Sequence, residues 1–165
     1  MLRCGLLGEK LGHSYSPEIH KMLAGYEYRL YERRAEELES FIKGGEWDGL
    51  NVTIPYKKAV LPFCDELGER ARLSGSVNTL VHRADGSIYG DNTDMFGFES
   101  LLRVNGIDPA GTKALVLGNG GACASVRAVL DSLGAQTVVI SRRGEDNYDN
   151  LERHRDAGLI VNTTP

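Results

Sequence analysis

The order of apolar and polar positions divides this chain into short alternating strands and helices. Residues 3–7 read as a strand that leaves through Gly8 into a loop over 9–15. Ser16-Pro17 then marks a helix start, serine as N-cap and proline at the first helical position, where its missing N–H is harmless. That helix is expected over 17–24, closed by Gly25. Tyr26, Tyr28 and Leu30 alternate with Glu27, Arg29 and Tyr31, the period of two of a half-buried strand. Leu38, Phe41 and Ile42 fall at helical spacing before Gly44-Gly45, and 47–53 reads as a strand stopped by Pro55. Residues 56–61 and 65–73 look helical, split by Pro62. Segments 76–82 and 87–90 flank Ala84-Asp85-Gly86, a hairpin signal. Thr93 or Asp94 can cap a helix whose apolar face is Phe98, Leu101 and Leu102 and whose end is Gly106.

Ile107-Asp108-Pro109-Ala110-Gly111 joins turn residues to a change of pattern and is the expected boundary between domains over 1–106 and 107–165. Beyond it the grammar is simpler: a strand over 113–117, a glycine loop, a helix over 122–133 with Val126, Val129, Leu130 and Leu133 as its buried stripe, a strand over 136–140 and a third over 159–161. Parallel strands joined through helices make right-handed crossovers. The fold class is therefore α/β: an N-terminal mixed α/β domain followed by a partial Rossmann-like parallel α/β domain.

Composition narrows the partners. A net charge of -4 and a hydrophobic share of 41% describe a globular chain without a field that would draw nucleic acid. No apolar run approaches the roughly 20 residues of a membrane span, and the first residues reach glycine too soon for a secretory core, so the cytoplasm is expected. Cys4, Cys64 and Cys123 are too scattered for a disulfide framework or a thiolate metal site. Glycine stands out at 20 of 165 residues, which hints at close backbone approach to a small ligand.

Gly118-Asn119-Gly120-Gly121-Ala122 lies between a buried strand and an amphipathic helix. In that setting bare backbone can approach a pyrophosphate, and the helix start favours its negative charge. A tight turn without a ligand would have the same spacing. The next strand ends in Ser141-Arg142-Arg143, where a domain that binds NAD would carry an acid for the ribose 2′-hydroxyl. A hydroxyl and two guanidinium groups suit a 2′-phosphate instead, so NADP is favoured over NAD, with an ordinary solvated turn as the alternative.

Four polar clusters punctuate the first hundred residues: His13 to Pro17, Asn51 to Lys57, Ser76 to Thr79, and Gly90 to Asp94. They supply hydroxyls, amides, an ammonium and a carboxylate, a set suited to a small polyhydroxylated anion. The stretches S-x-S-P-x-x-H, N-V-T-x-P-x-K, S-V-N-T, D-N-T-D-x-x-G, G-N-G-G-A and N-T-T-P occur here in an order that resembles the shikimate dehydrogenases. The resemblance implies NADP-dependent, reversible reduction of 3-dehydroshikimate to shikimate in the route to aromatic amino acids. It assigns Ser14 and Ser16 to the substrate carboxylate, and Asn51, Thr53, Lys57, Asn78 and Asp94 to the ring hydroxyls and the reacting oxygen. Lys57 is then the general acid, the base in reverse, and Asp94 orients it; His20 braces the serine loop. Gly118, Asn119, Gly120, Gly121, Ala122, Ser141, Arg142, Arg143, Asn162, Thr163 and Thr164 fall to the cofactor.

Relatives of this kind run on beyond the point matching Pro165, so only the first mononucleotide half of the cofactor domain is expected, without the half that lines the nicotinamide. Apolar faces left open would favour a homo-oligomer or a partner fragment. Two other functions fit the same residues: a shikimate-binding module without turnover, and a quinate-type relative.

Overall fold

The computed structural model describes all residues except His13, Ala24 and Pro165, so the last position of the expected first helix, the first histidine of the serine cluster and the proline of N-T-T-P lie outside the described residues. The chain forms two compact units, Met1–Asn92 and Thr93–Pro165.

In the first unit β1 (Arg3–Gly8) runs parallel to β2 (Glu27–Glu32) on one side and to β3 (Gly49–Val52) on the other. Beyond β3 come β5 (Thr79–His82) and β6 (Ile88–Asp91), the expected hairpin, and the two-residue strand β4 (Glu66–Leu67) closes the order β2-β1-β3-β5-β6-β4. β5 is antiparallel to both neighbours. The ends of β1, β3 and β6 and the beginning of β5 therefore share one edge of the sheet. Alternation sends Leu50 and Val52 into a core with Leu7, Trp47 and Leu80, joined by Leu38 and Ile42 from α2 (Leu38–Lys43), while Asn51 lies on the opposite face.

Three local expectations change. On β2 it is Tyr31 that packs on the core, against Phe41, whereas Leu30 is 40% exposed; the period of two is present but its faces are exchanged. Gly5 makes room for this, because a Cβ there would stand 2.4 Å from the Tyr31 ring. Residues 56–61 form successive turns rather than a helix. Pro62, which cannot donate to a helical ladder, sits in a 3-10 turn, Leu61–Phe63, and only α3 (Glu69–Ser74) is helical in the segment that follows. The first helix, α1, spans Ser16–Leu23.

In the second unit α4 (Thr93–Val104) and α5 (Gly121–Ser132) pack on a three-stranded parallel sheet of β7 (Lys113–Leu117), β8 (Gln136–Ile140) and β9 (Leu159–Asn162). The compact units divide before α4 and not after it, since Met95, Phe98 and Leu102 share a core with Val126, Val129 and Leu130. Met95 takes the inward place expected for Leu101, which is 58% exposed. The sheet order is β8-β7-β9, with β9 beside β7. The strand order thus turns at β7, and the crevice of a topological switch point lies within the described residues.

Candidate functional site

Backbone hydrogen bonds stitch three loops together at the carboxyl edge of the first sheet. Thr53 follows β3 directly and its N–H donates to the Leu7 carbonyl at 2.9 Å. The turns after it, which contain a cis Ile54–Pro55 peptide, bring the Lys57 carbonyl to the Val77 N–H at 2.7 Å. Asn78 donates its N–H to the Asp91 carbonyl at 3.0 Å and accepts from the Val52 N–H at 2.7 Å. Asn78, distant in the sequence, is in this way held beside the segment that carries Asn51, Thr53 and Lys57. Lys57 is half-buried while its neighbour Lys58 is exposed, and Asn78 is 8% exposed.

The side chains are anchored in turn. Thr79 Oγ1 donates to Asn78 Oδ1 at 2.9 Å, and Tyr28 donates its phenolic proton to Asn51 Oδ1 at 2.8 Å. His20 on α1 stacks on the Tyr28 ring with centroids 3.8 Å apart, and its Nδ1 lies 2.5 Å from the Tyr26 hydroxyl. Burial pushes the Tyr28 phenol up to about 12, with a hydrogen bond to Ser16 offsetting part of the rise. Ser16 begins α1, and Ser14 Oγ accepts its N–H at 3.2 Å, so the hydroxyl that meets the helix start is that of Ser14 rather than the expected Ser16. His20 accordingly holds Tyr26, just before β2, and Tyr28 on it. Beneath the edge, fully buried Asn92 donates through Nδ2 to Ser74 Oγ, Ser76 Oγ and the Ser76 carbonyl at 2.8–3.1 Å.

In the second unit Asp94 is the half-buried second residue of α4. The glycine loop leaves β7 through Gly118, whose φ of +105° only glycine adopts readily, and α5 starts after Gly120. Gly118 donates to the Ile140 carbonyl at 2.8 Å, which sets Ser141 beside the loop. On its other side Thr163 Oγ1 donates to the Leu117 carbonyl at 2.6 Å, and Asn162 Oδ1 accepts from the Thr164 N–H and hydroxyl. Gly118 through Ala122, Ser141 and Asn162 to Thr164 are therefore grouped at the ends of three parallel strands, with Asn119, Gly120 and Ala122 exposed. Arg142 and Arg143 are exposed just past β8. Asp146, in the same loop, is engaged by His154 Nε2 at 2.8 Å.

Tyr28 and Thr79 escaped the sequence reading as site residues. Thr79 stood inside S-V-N-T and had a signal in that motif; Tyr28 had none beyond its place on a strand. Among the described residues no group of three His, Cys, Asp or Glu side chains could hold a metal ion, and no helix is long and apolar enough to cross a membrane.

A polar edge on the mixed sheet of one α/β unit and a glycine turn at the switch point of a second, parallel unit define a two-unit α/β protein. Residues 6–80 match the family model for the shikimate dehydrogenase substrate binding domain. The chain is 39% identical to shikimate dehydrogenase (NADP(+)) of Oleidesulfovibrio alaskensis, over 98% of this chain and 64% of that protein. It superimposes on shikimate dehydrogenase 1 of Peptoclostridium difficile with a TM-score of 0.90 at 33% identity, covering all of this chain and 68% of the other. The Thermus thermophilus enzyme, solved in complex with NADP(H) and shikimate, gives a TM-score of 0.86 at 32% identity over 99% of this chain and 69% of its own. The chain belongs to the shikimate dehydrogenase family. It spans less than two thirds of the length of the Oleidesulfovibrio relative.

Proposed function

We propose that this chain binds shikimate and NADP and carries the proton-transfer groups for reversible reduction of 3-dehydroshikimate. The observation that carries the reading is the convergence of Asn51, Thr53, Lys57 and Asn78 on one sheet edge through the Lys57–Val77 and Asn78–Asp91 backbone bonds. Bound NADPH supplies a hydride to the ketone carbon. The oxygen that becomes an alkoxide needs a proton at that moment, and the Lys57 ammonium donates it; in the oxidative direction neutral Lys57 takes it back. Asp94 is the carboxylate that the family motif assigns to the same chemistry. Ser14 and Ser16 take the substrate carboxylate, and Asn51, Thr53 and Asn78 its ring oxygens.

The residues of the second unit fit NADP. The turn after β7 is bare of side chains at Gly118 and Gly120, the α5 N-terminus follows it, and Ser141, Arg142 and Arg143 end the next strand, where the Asp146 carboxylate is already paired with His154. Arg142 and Arg143 neutralise a 2′-phosphate there, and Asn162 to Thr164 border the crevice. Free thiols at Cys4, Cys64 and Cys123 support a reducing setting, the cytoplasm.

Calorimetry of the chain with shikimate and with NADP, run beside an assay of shikimate-dependent NADP reduction, tests the reading. Binding of both with turnover is expected. Binding of shikimate without turnover would select a second reading, a binding module. No binding of shikimate would end both.

A further inference from the structure

Tyr28 lies on the edge strand β2, yet its hydroxyl reaches Asn51 on β3, two strands away. The register explains the reach. Tyr28 pairs with Cys4 and Cys4 with Gly49, so along that row the phenol meets one small side chain and one glycine before arriving beside Asn51. His20 stacks on the ring at an interplanar angle of 11° and fixes its plane.

The bond also has a direction. A phenol has one proton, and giving it to Oδ1 holds the Asn51 amide with its two Nδ2 donors turned away from Tyr28. An asparagine without such an anchor can flip end for end and offer a ligand either an oxygen or an NH2 group. Thr79 anchors Asn78 Oδ1 in the same manner, so the two amides of this edge have matching polarity.

We propose that Tyr28 is a positioning residue of the substrate pocket, which sets Asn51 as a hydrogen-bond donor toward the substrate. The inference rests on the shikimate reading and adds a specificity rule to it. The substrate atom facing Asn51 is an oxygen with a lone pair to give, and an analogue with an ammonium group at that position is rejected.

The test is a double-mutant cycle on shikimate binding, measured by calorimetry on the whole chain with Tyr28→Phe, Asn51→Ala and the pair. Tyr28→Phe keeps the ring and its stacking on His20. It is expected to weaken shikimate binding about fivefold to tenfold, the scale of one oriented hydrogen bond, and to change affinity less than about twofold when Asn51 is already alanine. Wild-type affinity in Tyr28→Phe, or the same loss with and without Asn51, overturns the proposal and leaves the shikimate reading standing. An unsubstituted chain that does not bind shikimate overturns both. Should Tyr28→Phe melt early, the side-chain amide resonances of Asn51 in the unsubstituted chain decide: they shift on adding shikimate, and unmoved resonances overturn the proposal.

Discussion

The Lys57 carbonyl accepts the backbone N–H of Val77 at 2.7 Å, which ties this lysine to the sheet edge through its main chain. Removing the side chain leaves that backbone bond in place. Lys57→Ala is expected to lower shikimate-dependent NADP reduction by about 100-fold to 10,000-fold, the usual worth of a placed proton donor, with shikimate affinity and melting temperature little changed. Steady-state rates beside calorimetry check it. A variant that turns over at the wild-type rate removes Lys57 from the chemistry.

Asn92 is the buried knot under the same edge. Asn92→Ala leaves Ser74 and Ser76 without the amide that now donates to both, in a place where water does not reach. A loss of about 1–3 kcal/mol in urea unfolding is expected, since the buried bonds from the amide go while Ser74 and Ser76 keep only each other and the Arg70 carbonyl. A change under about 0.5 kcal/mol would show that the knot relaxes without it.

Gly118→Ala combines two penalties. The backbone φ of +105° disfavours any Cβ, and the added atom would stand 3.0 Å from Thr163 Oγ1 and 3.2 Å from Thr164 Cγ2. The expected result is about 1–2 kcal/mol of lost stability together with weaker NADP binding, because the bond from Thr163 to Leu117 must give way. Thermal melting and calorimetry report the two effects separately.

Arg142→Ala tests the choice of cofactor. Loss of a charged hydrogen bond to a 2′-phosphate weakens binding by roughly 10-fold to 100-fold, whereas NAD has no such phosphate and should bind unchanged. Parallel titrations with NADP and NAD give the ratio, and an equal loss for both would place Arg142 elsewhere.

Burial holds the Cys64 thiol up at about 11 and the Tyr28 phenol up at about 12. Each group then binds its proton more tightly folded than unfolded. The stability it contributes is whole below its unfolded value, about 8.5 for the thiol and about 10 for the phenol, and is lost as pH rises through the folded value. The melting temperature should therefore decline from about pH 9 upward. Alkylation of Cys64, followed by peptide mass spectrometry against pH, should show a midpoint near 11; a midpoint at the ordinary thiol value would mean that the thiol is open to solvent in the folded chain.

What the sequence determined by itself was local or carried by motif. Proline, glycine and the apolar period located nearly every strand and helix, because those signals act over a few residues. The ordered polar clusters named Lys57, Asn78, the serines and the glycine turn before any coordinates were needed. The tertiary structure alone decided which face of β2 is inward, since Gly5 on a neighbouring strand makes the room that Tyr31 fills. It also assigned α4 to the second unit through Met95 and Leu102, and laid β9 beside β7. The role of Tyr28 arises in the same way, from a register that puts Cys4 and Gly49 in its path to Asn51. Strand order and register join residues far apart in the chain, and no periodicity within one segment encodes them.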